Sequence, residues 1–141
     1  MRGNILLVVN TNVLFSFFGK STTTRELIFL LSGRLISPEF AVSESGGTQE
    51  EVLRKAKIDE RAFQRALEIL REHVIFVPED FYSEFIPLAL EICPNKDDAD
   101  FVALSLKVNA PLWSNDRRLK DIKEIEVMNT EEVLKLLGII R

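Results

Sequence analysis

The sequence has almost none of the residues that cross-link small proteins or bind zinc. Cys93 is its only cysteine and His73 its only histidine. A single cysteine excludes an intrachain disulfide and favours a reducing compartment. Because protein zinc sites are built mainly from cysteine and histidine, a zinc centre is also nearly excluded. Any metal site in this chain must therefore use oxygen ligands.

Long apolar runs and an excess of positive charge are also lacking. The apolar run at residues 5–9 is too short to cross a membrane, and it lacks the extended apolar region and cleavage site of a signal peptide. We therefore expect a cytoplasmic protein with no membrane partner. The net charge is −4 and the sequence pI is about 5.1, whereas general nucleic-acid binders are usually basic. Contact with RNA or DNA would have to be local.

The sequence does contain enough apolar residues for one core. Its 141 residues, 46% of them hydrophobic, predict a single domain, residues 1–141. Apolar segments predict strands at residues 5–9, 35–37, 74–77, 110–113 and 125–127. Helical spacing predicts helices at residues 12–18, 24–31 and 82–92, one capped by Asp59, one beginning at Asp97 or Asp98, and one at residues 131–137 capped by Thr130. This alternation predicts an α/β fold with a mainly parallel sheet.

Polar residues gather where two of the predicted strands end. Asn-Thr-Asn follows the first strand at residues 10–12, and Ser-Asn-Asp follows the fourth at residues 114–116. Glu44 comes soon after the second strand, and Asp98 and Asp100 lie at a helix start in the segment NKDDADF. Ligands of parallel sheets bind at the carboxyl ends of the strands, so these side chains are candidates for one site.

The acidic members of this group favour a hard metal ion. Carboxylates that converge repel one another unless a cation lies between them. Oxygen ligands without histidine or cysteine select Mg²⁺ or Mn²⁺. Such an ion activates water and stabilises a phosphate during hydrolysis. The pattern therefore predicts a metal site that acts on phosphate esters.

Four segments in order resemble those of the PIN domain family: VVNTNVLFS, LISPEFAVSE, DDADFVALSLKVNAPLWSND and the closing strand and helix. PIN domains form a nuclease fold found in many toxin–antitoxin ribonucleases and RNA-processing factors. The resemblance covers nearly the whole chain and implies a PIN-like three-layer α/β/α fold. It also implies RNA as substrate, an antitoxin protein as partner and a homodimer.

The resemblance further assigns residues to the site. The family's acidic cluster corresponds to four positions of this sequence: Asn10, Glu44, Asp98 and Asp116. Asn12 and Ser114 match the family's supporting polar residues, which orient the acidic groups by hydrogen bonds. Asp100 would be an outer ligand of the metal. The expected cofactor is Mg²⁺ or Mn²⁺.

Two departures from the family pattern bear on activity. Asn10 stands where the family has aspartate, and an amide oxygen brings no charge to a cation. Loss of an anionic ligand should reduce metal affinity or activity by at least about 10–100-fold. The Ser-Gly-Gly-Thr segment at residues 45–48 interrupts the helix expected to carry Glu44. Glu39 is then the alternative ligand.

The leading expectation is a Mg²⁺- or Mn²⁺-dependent endoribonuclease weakened by Asn10. Arg117, Arg118 and Lys120 would bind RNA phosphates around the acidic centre, unless they only form a solvated helix face. One alternative is an inactive PIN-like module that binds RNA or a protein partner. Another is a different Mg²⁺-dependent phosphohydrolase, which would need an aspartyl nucleophile at the position of Asn10. A purely structural alternative makes Asn10 and Asn12 a strand-end turn with helix capping, and Asp98 a helix cap.

Overall fold

A computed structural model describes residues 5–19, 22–42, 54 and 59–139. The strands are β1 (Leu7–Val9), β2 (Leu35–Pro38), β3 (Val74–Val77), β4 (Leu112–Trp113) and β5 (Val127–Met128). The helices in these ranges are α1 (Thr11–Phe18), α2 (Thr22–Leu30), α3 (Glu60–His73), α4 (Ile86–Ile92), α5 (Ala99–Val108) and α6 (Thr130–Leu136). Short 3₁₀ turns occupy Glu39–Val42, Glu79–Phe81, Ser83–Phe85, Lys96–Asp98 and Arg117–Asp121. None of these described helices has the length and apolar character needed to cross a membrane.

The described strands form one parallel sheet in the order β3-β2-β1-β4-β5. In the centre, Val8 of β1 pairs with Ile36 of β2 on one side and with Leu112 of β4 on the other. All three residues of β1 are fully buried, which explains the uninterrupted apolar sequence of this strand. The chain leaves β1 toward β2 and β3 and later returns to β4, so the strand order reverses between β1 and β4.

Helices cover both faces of the sheet. Helix α1 packs on α2 and α3, whereas α5 packs on α4 and directly on β1, β2 and β4. Because crossovers between parallel strands are right-handed, α1, α2 and α3 lie on one face and α4 and α5 on the other. The α/β fold with a parallel sheet, predicted from the strand and helix pattern, is confirmed.

Helix α3 illustrates how the sequence specifies one element. Asp59 caps its start, because the carboxylate accepts a hydrogen bond from Ala62 N at 2.7 Å. Phe63, Leu67 and Leu70 recur at helical spacing and are buried. Burial of side chains of this size contributes about 1.5–3 kcal/mol each. The predicted cap and the buried face of this helix are confirmed.

Several element boundaries differ from the prediction by one or two residues. Two further differences have an identifiable local reason. Asn129, and not Thr130, caps α6: its side chain accepts from Glu132 N, and the Glu132 side chain accepts from Asn129 N. Helix α4 begins at Ile86 and not at residue 82, because Pro87 lacks an N–H and fits only the first turn of a helix. The residues before α4 form 3₁₀ turns instead.

Candidate functional site

The candidate site lies at the carboxyl ends of β1 and β4, where the strand order reverses. Asn10 follows β1 and Ser114 follows β4. The Asn10 N–H donates to the Trp113 carbonyl at 3.0 Å, which keeps the two strand ends in register. In parallel sheets a crevice opens at such a reversal, and ligands bind there. The polar residues predicted at these two strand ends are therefore neighbours.

Asn12 ties the two strand ends together. Its Nδ2 donates to Ser114 Oγ at 3.1 Å, and its Oδ1 accepts from Asn115 N at 3.3 Å. Ser114 Oγ also accepts from Asp116 N at 3.1 Å. Ser114 is only 1% exposed, so water does not readily replace these partners. The predicted supporting residues Asn12 and Ser114 thus orient the backbone that carries Asp116.

Asn10 caps α1 and leaves its amino group for the cleft. Its Oδ1 accepts from Asn12 N at 3.2 Å, which fixes the orientation of the amide. The residue is 3% exposed, and its Nδ2 has no hydrogen-bond partner of ordinary length among the described residues. The amide nevertheless lies close enough to Asp98 to favour the carboxylate and lower its pKa. Asn10 is therefore a cap, as the structural alternative held, and it also contributes to the cleft.

Asp98 precedes α5 in the position of a cap, but its carboxylate caps no backbone amide. Asn95 instead caps the preceding 3₁₀ turn, through a hydrogen bond at 3.0 Å. Burial is the main cause that raises the pKa of the half-buried Asp98, and the charge of Asp116 raises it further. Asn10 and Arg118 act in the opposite direction. A carboxylate in such surroundings is stabilised by a cation.

Asp116 interacts with Asp98 across the cleft and is held by Arg118. Its Oδ1 accepts from Arg118 Nε at 3.2 Å, and its Oδ2 accepts from Arg118 Nη2 at 2.8 Å. Oδ1 also accepts from Arg118 N at 3.0 Å, which caps the 3₁₀ turn Arg117–Asp121. The hydrogen bond from the guanidinium is the main cause that lowers the pKa of Asp116. Asp116 is therefore ionised and already paired.

Asp100, predicted as an outer metal ligand, has a partner that the sequence did not suggest. Tyr82 Oη donates to Asp100 Oδ2 at 2.5 Å. Tyr82 is 1% exposed, and burial is the main cause that raises its pKa, followed by the hydrogen bond to Asp100. The pair fastens the start of α5 to the segment after β3. It thereby supports the helix that begins directly after Asp98.

Asn115 and Thr130 also contribute without having been predicted. Asn115 Oδ1 accepts from Thr130 N at 2.9 Å and from Thr130 Oγ1 at 3.1 Å. Trp113 Nε1 donates to Thr130 Oγ1 at 3.1 Å. These bonds fasten the loop after β4 to the start of α6. The only sequence signal was the position of Asn115 inside the Ser-Asn-Asp turn.

A family model described as PIN domain matches residues 8–136. The chain belongs to the PIN domain family. The match spans nearly the whole sequence and includes both strand ends that form the cleft. The family predicted from the four ordered segments is thereby confirmed.

Solved structures share this PIN fold at low sequence identity. PAE2754 from Pyrobaculum aerophilum has a TM-score of 0.70 at 16% identity, over 97% of this chain and 98% of that one. VapBC2 from Rickettsia felis, bound to a DNA fragment from its promoter, has a TM-score of 0.64 at 18% identity. That match covers 89% of this chain and 98% of the other. A toxin–antitoxin complex from Klebsiella pneumoniae has a TM-score of 0.60 at 16% identity. That match covers 84% of this chain and 94% of the other. The PIN-like three-layer α/β/α fold is confirmed, and no curated protein matches the sequence.

The basic residues after Asp116 in this PIN domain differ in their partners. Arg118 is bound to Asp116, and Lys120 forms an ion pair with Glu132 in the first turn of α6. Arg117 is exposed and forms no ion pair with any residue in the described ranges. Of the three predicted RNA-binding residues, Arg117 is therefore the one that could bind a phosphate without first breaking an ion pair.

The remaining predicted ligand of the PIN cleft is Glu44, which lies outside the described residues. The segment just before Glu44, where a helix was expected, forms a 3₁₀ turn at Glu39–Val42. Glu39, the alternative ligand, accepts from Arg71 Nη1 at 3.2 Å and from Nη2 at 2.7 Å. This hydrogen bonding is the main cause that raises the pKa of Arg71. Both oxygens of Glu39 are thus engaged by α3.

A divalent cation fits the described part of the PIN cleft weakly. Among the described residues, no three His, Cys, Asp or Glu side chains form a group able to hold a metal ion. Asp98 and Asp116 supply two carboxylates, and Mg²⁺ is often held by one or two carboxylates together with substrate phosphates. Asn10 opposes binding, because it turns an amino group and not an oxygen to the cleft. The two carboxylates therefore suit a weak site completed by substrate.

Proposed function

We propose that this chain is a PIN-type endoribonuclease that hydrolyses RNA phosphodiester bonds with Mg²⁺ or Mn²⁺, and that Asn10 reduces its activity. The observation that carries the proposal is the meeting of Asp98 and Asp116 at the reversal of the strand order. Exposed basic residues beside Asp116 support a polyanionic substrate. Because the chain carries a net charge of −4, these basic residues would have to supply the local attraction for RNA.

Each part of the cleft has a role in this proposal. Asp98 and Asp116 would bind the cation, which when bound supplies an activated water and offsets negative charge on the phosphate. Asn12 and Ser114 keep the backbone of Asp116 in place. Arg117 would contact a neighbouring phosphate of the RNA backbone. Asp100 would act at a distance, by anchoring α5 through Tyr82 and not by touching the cation.

We further propose a protein partner. The Klebsiella pneumoniae structure with this fold is a toxin–antitoxin complex, which supports an antitoxin as partner of this chain. In this proposal the chain acts as a toxin in the cytoplasm, and the antitoxin would cover the cleft. A PIN homodimer is proposed on the family resemblance. Light scattering on the purified chain tests the dimer, and a mass equal to one chain at high protein concentration would contradict it.

The decisive experiment restores the acidic residue. Mn²⁺ binding by calorimetry and cleavage of a mixed-sequence RNA are compared for the native chain and Asn10→Asp, with Asp98→Asn in the Asn10→Asp background as control. We expect Asn10→Asp to bind Mn²⁺ at least about 10-fold more tightly and to cleave faster, and the control to lose both gains. Equally strong cleavage by the native chain would contradict the role of Asn10. Absence of Mn²⁺ binding in both the native chain and Asn10→Asp would contradict the proposed metal site.

A second candidate is a module that binds RNA or a protein without cleaving. The interaction of the Asn10 amide with Asp98 and the ion pair of Asp116 with Arg118 favour it, because both balance the carboxylates without a divalent ion. RNA binding without Mn²⁺, together with no cleavage even by Asn10→Asp, would decide for this candidate. The phosphohydrolase alternative is the weakest, because an aspartyl nucleophile is missing at position 10.

A further inference from the structure

Arg118 makes the closest charged contact in the cleft. Its guanidinium donates to both carboxylate oxygens of Asp116, at 3.2 Å and 2.8 Å, and its backbone N–H donates to Asp116 Oδ1 at 3.0 Å. The Asp116 side chain is 21% exposed, whereas that of Arg118 is 65% exposed. The Asp116 oxygens that a metal ion would need therefore already accept hydrogen bonds from a guanidinium whose side chain is mostly exposed to solvent.

The same guanidinium also acts on the second carboxylate. The charge of Arg118 interacts with Asp98 as well as with Asp116. One internal cation thus serves the two carboxylates between which a divalent ion would lie. Asn10 strengthens this arrangement, because its amide favours the charged form of Asp98 and brings no negative charge of its own to the cleft.

We propose that Arg118 determines which cation the cleft accepts: its guanidinium is the internal counter-ion of Asp98 and Asp116, and it competes with a divalent ion for Asp116. The proposal rests on the metal site of the proposed function. A divalent ion binds only after the guanidinium has left the Asp116 oxygens. The released guanidinium is then available to an RNA phosphate, which it can bind through two parallel hydrogen bonds.

The charge balance explains why this competition matters here. With Asn10, the two carboxylates and Arg118 leave one net negative charge in the described cleft, and an aspartate at position 10 would leave two. A single remaining charge attracts a divalent ion weakly against a guanidinium that is already in contact. The divalent ion is therefore expected to bind more tightly when Asn10 is replaced by aspartate or when the guanidinium of Arg118 is removed.

The test measures Mn²⁺ affinity, by calorimetry and by the electron paramagnetic resonance of free Mn²⁺, without RNA. Arg118→Gln is compared with the native chain and with the control Arg117→Gln. The control removes the same charge from the neighbouring arginine, which takes no part in the ion pair with Asp116. We expect Arg118→Gln to raise the affinity about fivefold or more and Arg117→Gln to raise it by less than about twofold. Arg118→Lys, which keeps the charge but loses the paired hydrogen bonds, should fall between the native chain and Arg118→Gln.

The same variants in the Asn10→Asp background separate this inference from the proposed function. Tighter Mn²⁺ binding by the double variant Asn10→Asp, Arg118→Gln than by Asn10→Asp alone supports competition by Arg118. Equal binding by these two, with Mn²⁺ clearly bound to both, overturns the inference and leaves the metal site standing. Equal effects of Arg117→Gln and Arg118→Gln also overturn it, since only the general field would then matter. No Mn²⁺ binding by any variant overturns both proposals.

Discussion

Tyr82 allows a test of the support beneath the cleft that needs no substrate. It is the only tyrosine of the chain, it is 1% exposed, and its hydroxyl donates to Asp100 at 2.5 Å. Burial is the main cause that raises its pKa, and Asp100 raises it further, because a phenolate there would be both desolvated and repelled. We therefore expect the folded protein to keep Tyr82 neutral at pH values where an exposed tyrosine ionises.

The expected difference is large enough to read from one titration. An ordinary tyrosine, with a pKa of about 10, is roughly nine-tenths ionised at pH ~11, whereas we expect less than about one-tenth in the folded protein. The near-ultraviolet absorbance of the phenolate measures this fraction. Trp113 is the only tryptophan and is fully buried, so its fluorescence shows in the same sample that the fold is intact. The urea-unfolded chain should titrate near the ordinary value.

A matched variant separates the two causes of the shift. Asp100→Asn keeps the shape of the side chain and removes its charge, so Tyr82 should ionise at a lower pH than in the native protein. It should still ionise above the ordinary value, because burial, the larger cause, remains. A phenolate titration of the native protein with its midpoint near pH ~10, at unchanged Trp113 fluorescence, would refute the buried pair.

The raised pKa of Tyr82 also predicts how the free energy of unfolding changes at alkaline pH. Between the unfolded and the folded pKa the unfolded chain has released the tyrosine proton and the folded chain has not. The contribution to the free energy of unfolding is therefore complete below pH ~10 and is lost as the pH rises above that value toward the folded pKa. Urea unfolding at several alkaline pH values measures it.

Further predictions follow from single contacts. Asp59→Ala should lower the free energy of unfolding by about 1 kcal/mol in urea denaturation, because the cap of α3 is lost, and an unchanged midpoint would contradict this. Asn12→Ala should lower it by about 1–3 kcal/mol, since it removes two hydrogen bonds and leaves the buried Ser114 with one donor fewer, and a loss below about 0.5 kcal/mol would contradict the bridge. The pKa of Glu132 is lowered chiefly by its hydrogen bond from Lys120, so its contribution is present above pH ~4.5 and lost as the pH falls through the folded pKa. The stabilities of the native chain and Glu132→Gln should therefore differ near neutral pH and converge in acid, and a constant difference would exclude the carboxylate as its source.

Much of the fold was predictable because local rules and the global sheet agree. Residues 74–77 were predicted as a strand and form β3 with those bounds, and the continuous apolar run of β1 matches a strand buried on both faces. The start of α4 was missed because Pro87 in its first turn outweighs the apolar spacing before it. The cap of α6 was misplaced by one residue, since Asn129 and Thr130 are both good caps and only the reciprocal bond with Glu132 decides between them.

The candidate site was predictable in its location and less so in its internal bonds. Carboxyl ends of neighbouring parallel strands share one edge, which places Asp116 close to the end of β1. The orientation of the Asn10 amide depends on one hydrogen bond from Asn12 N, and the return of Arg118 onto Asp116 depends on the 3₁₀ turn between them. No periodic pattern carries this information. The chemical roles of these residues stay predictions.

The bridge from Asn12 to Ser114 joins positions 102 residues apart. During translation β1 leaves the ribosome early, whereas its neighbour β4 emerges only after α5. Until then one edge of β1 has no strand beside it, and Asp98 lacks the carboxylate of Asp116 across the cleft. A growing chain therefore carries both halves of the cleft apart and joins them only once residue 116 is outside the ribosome.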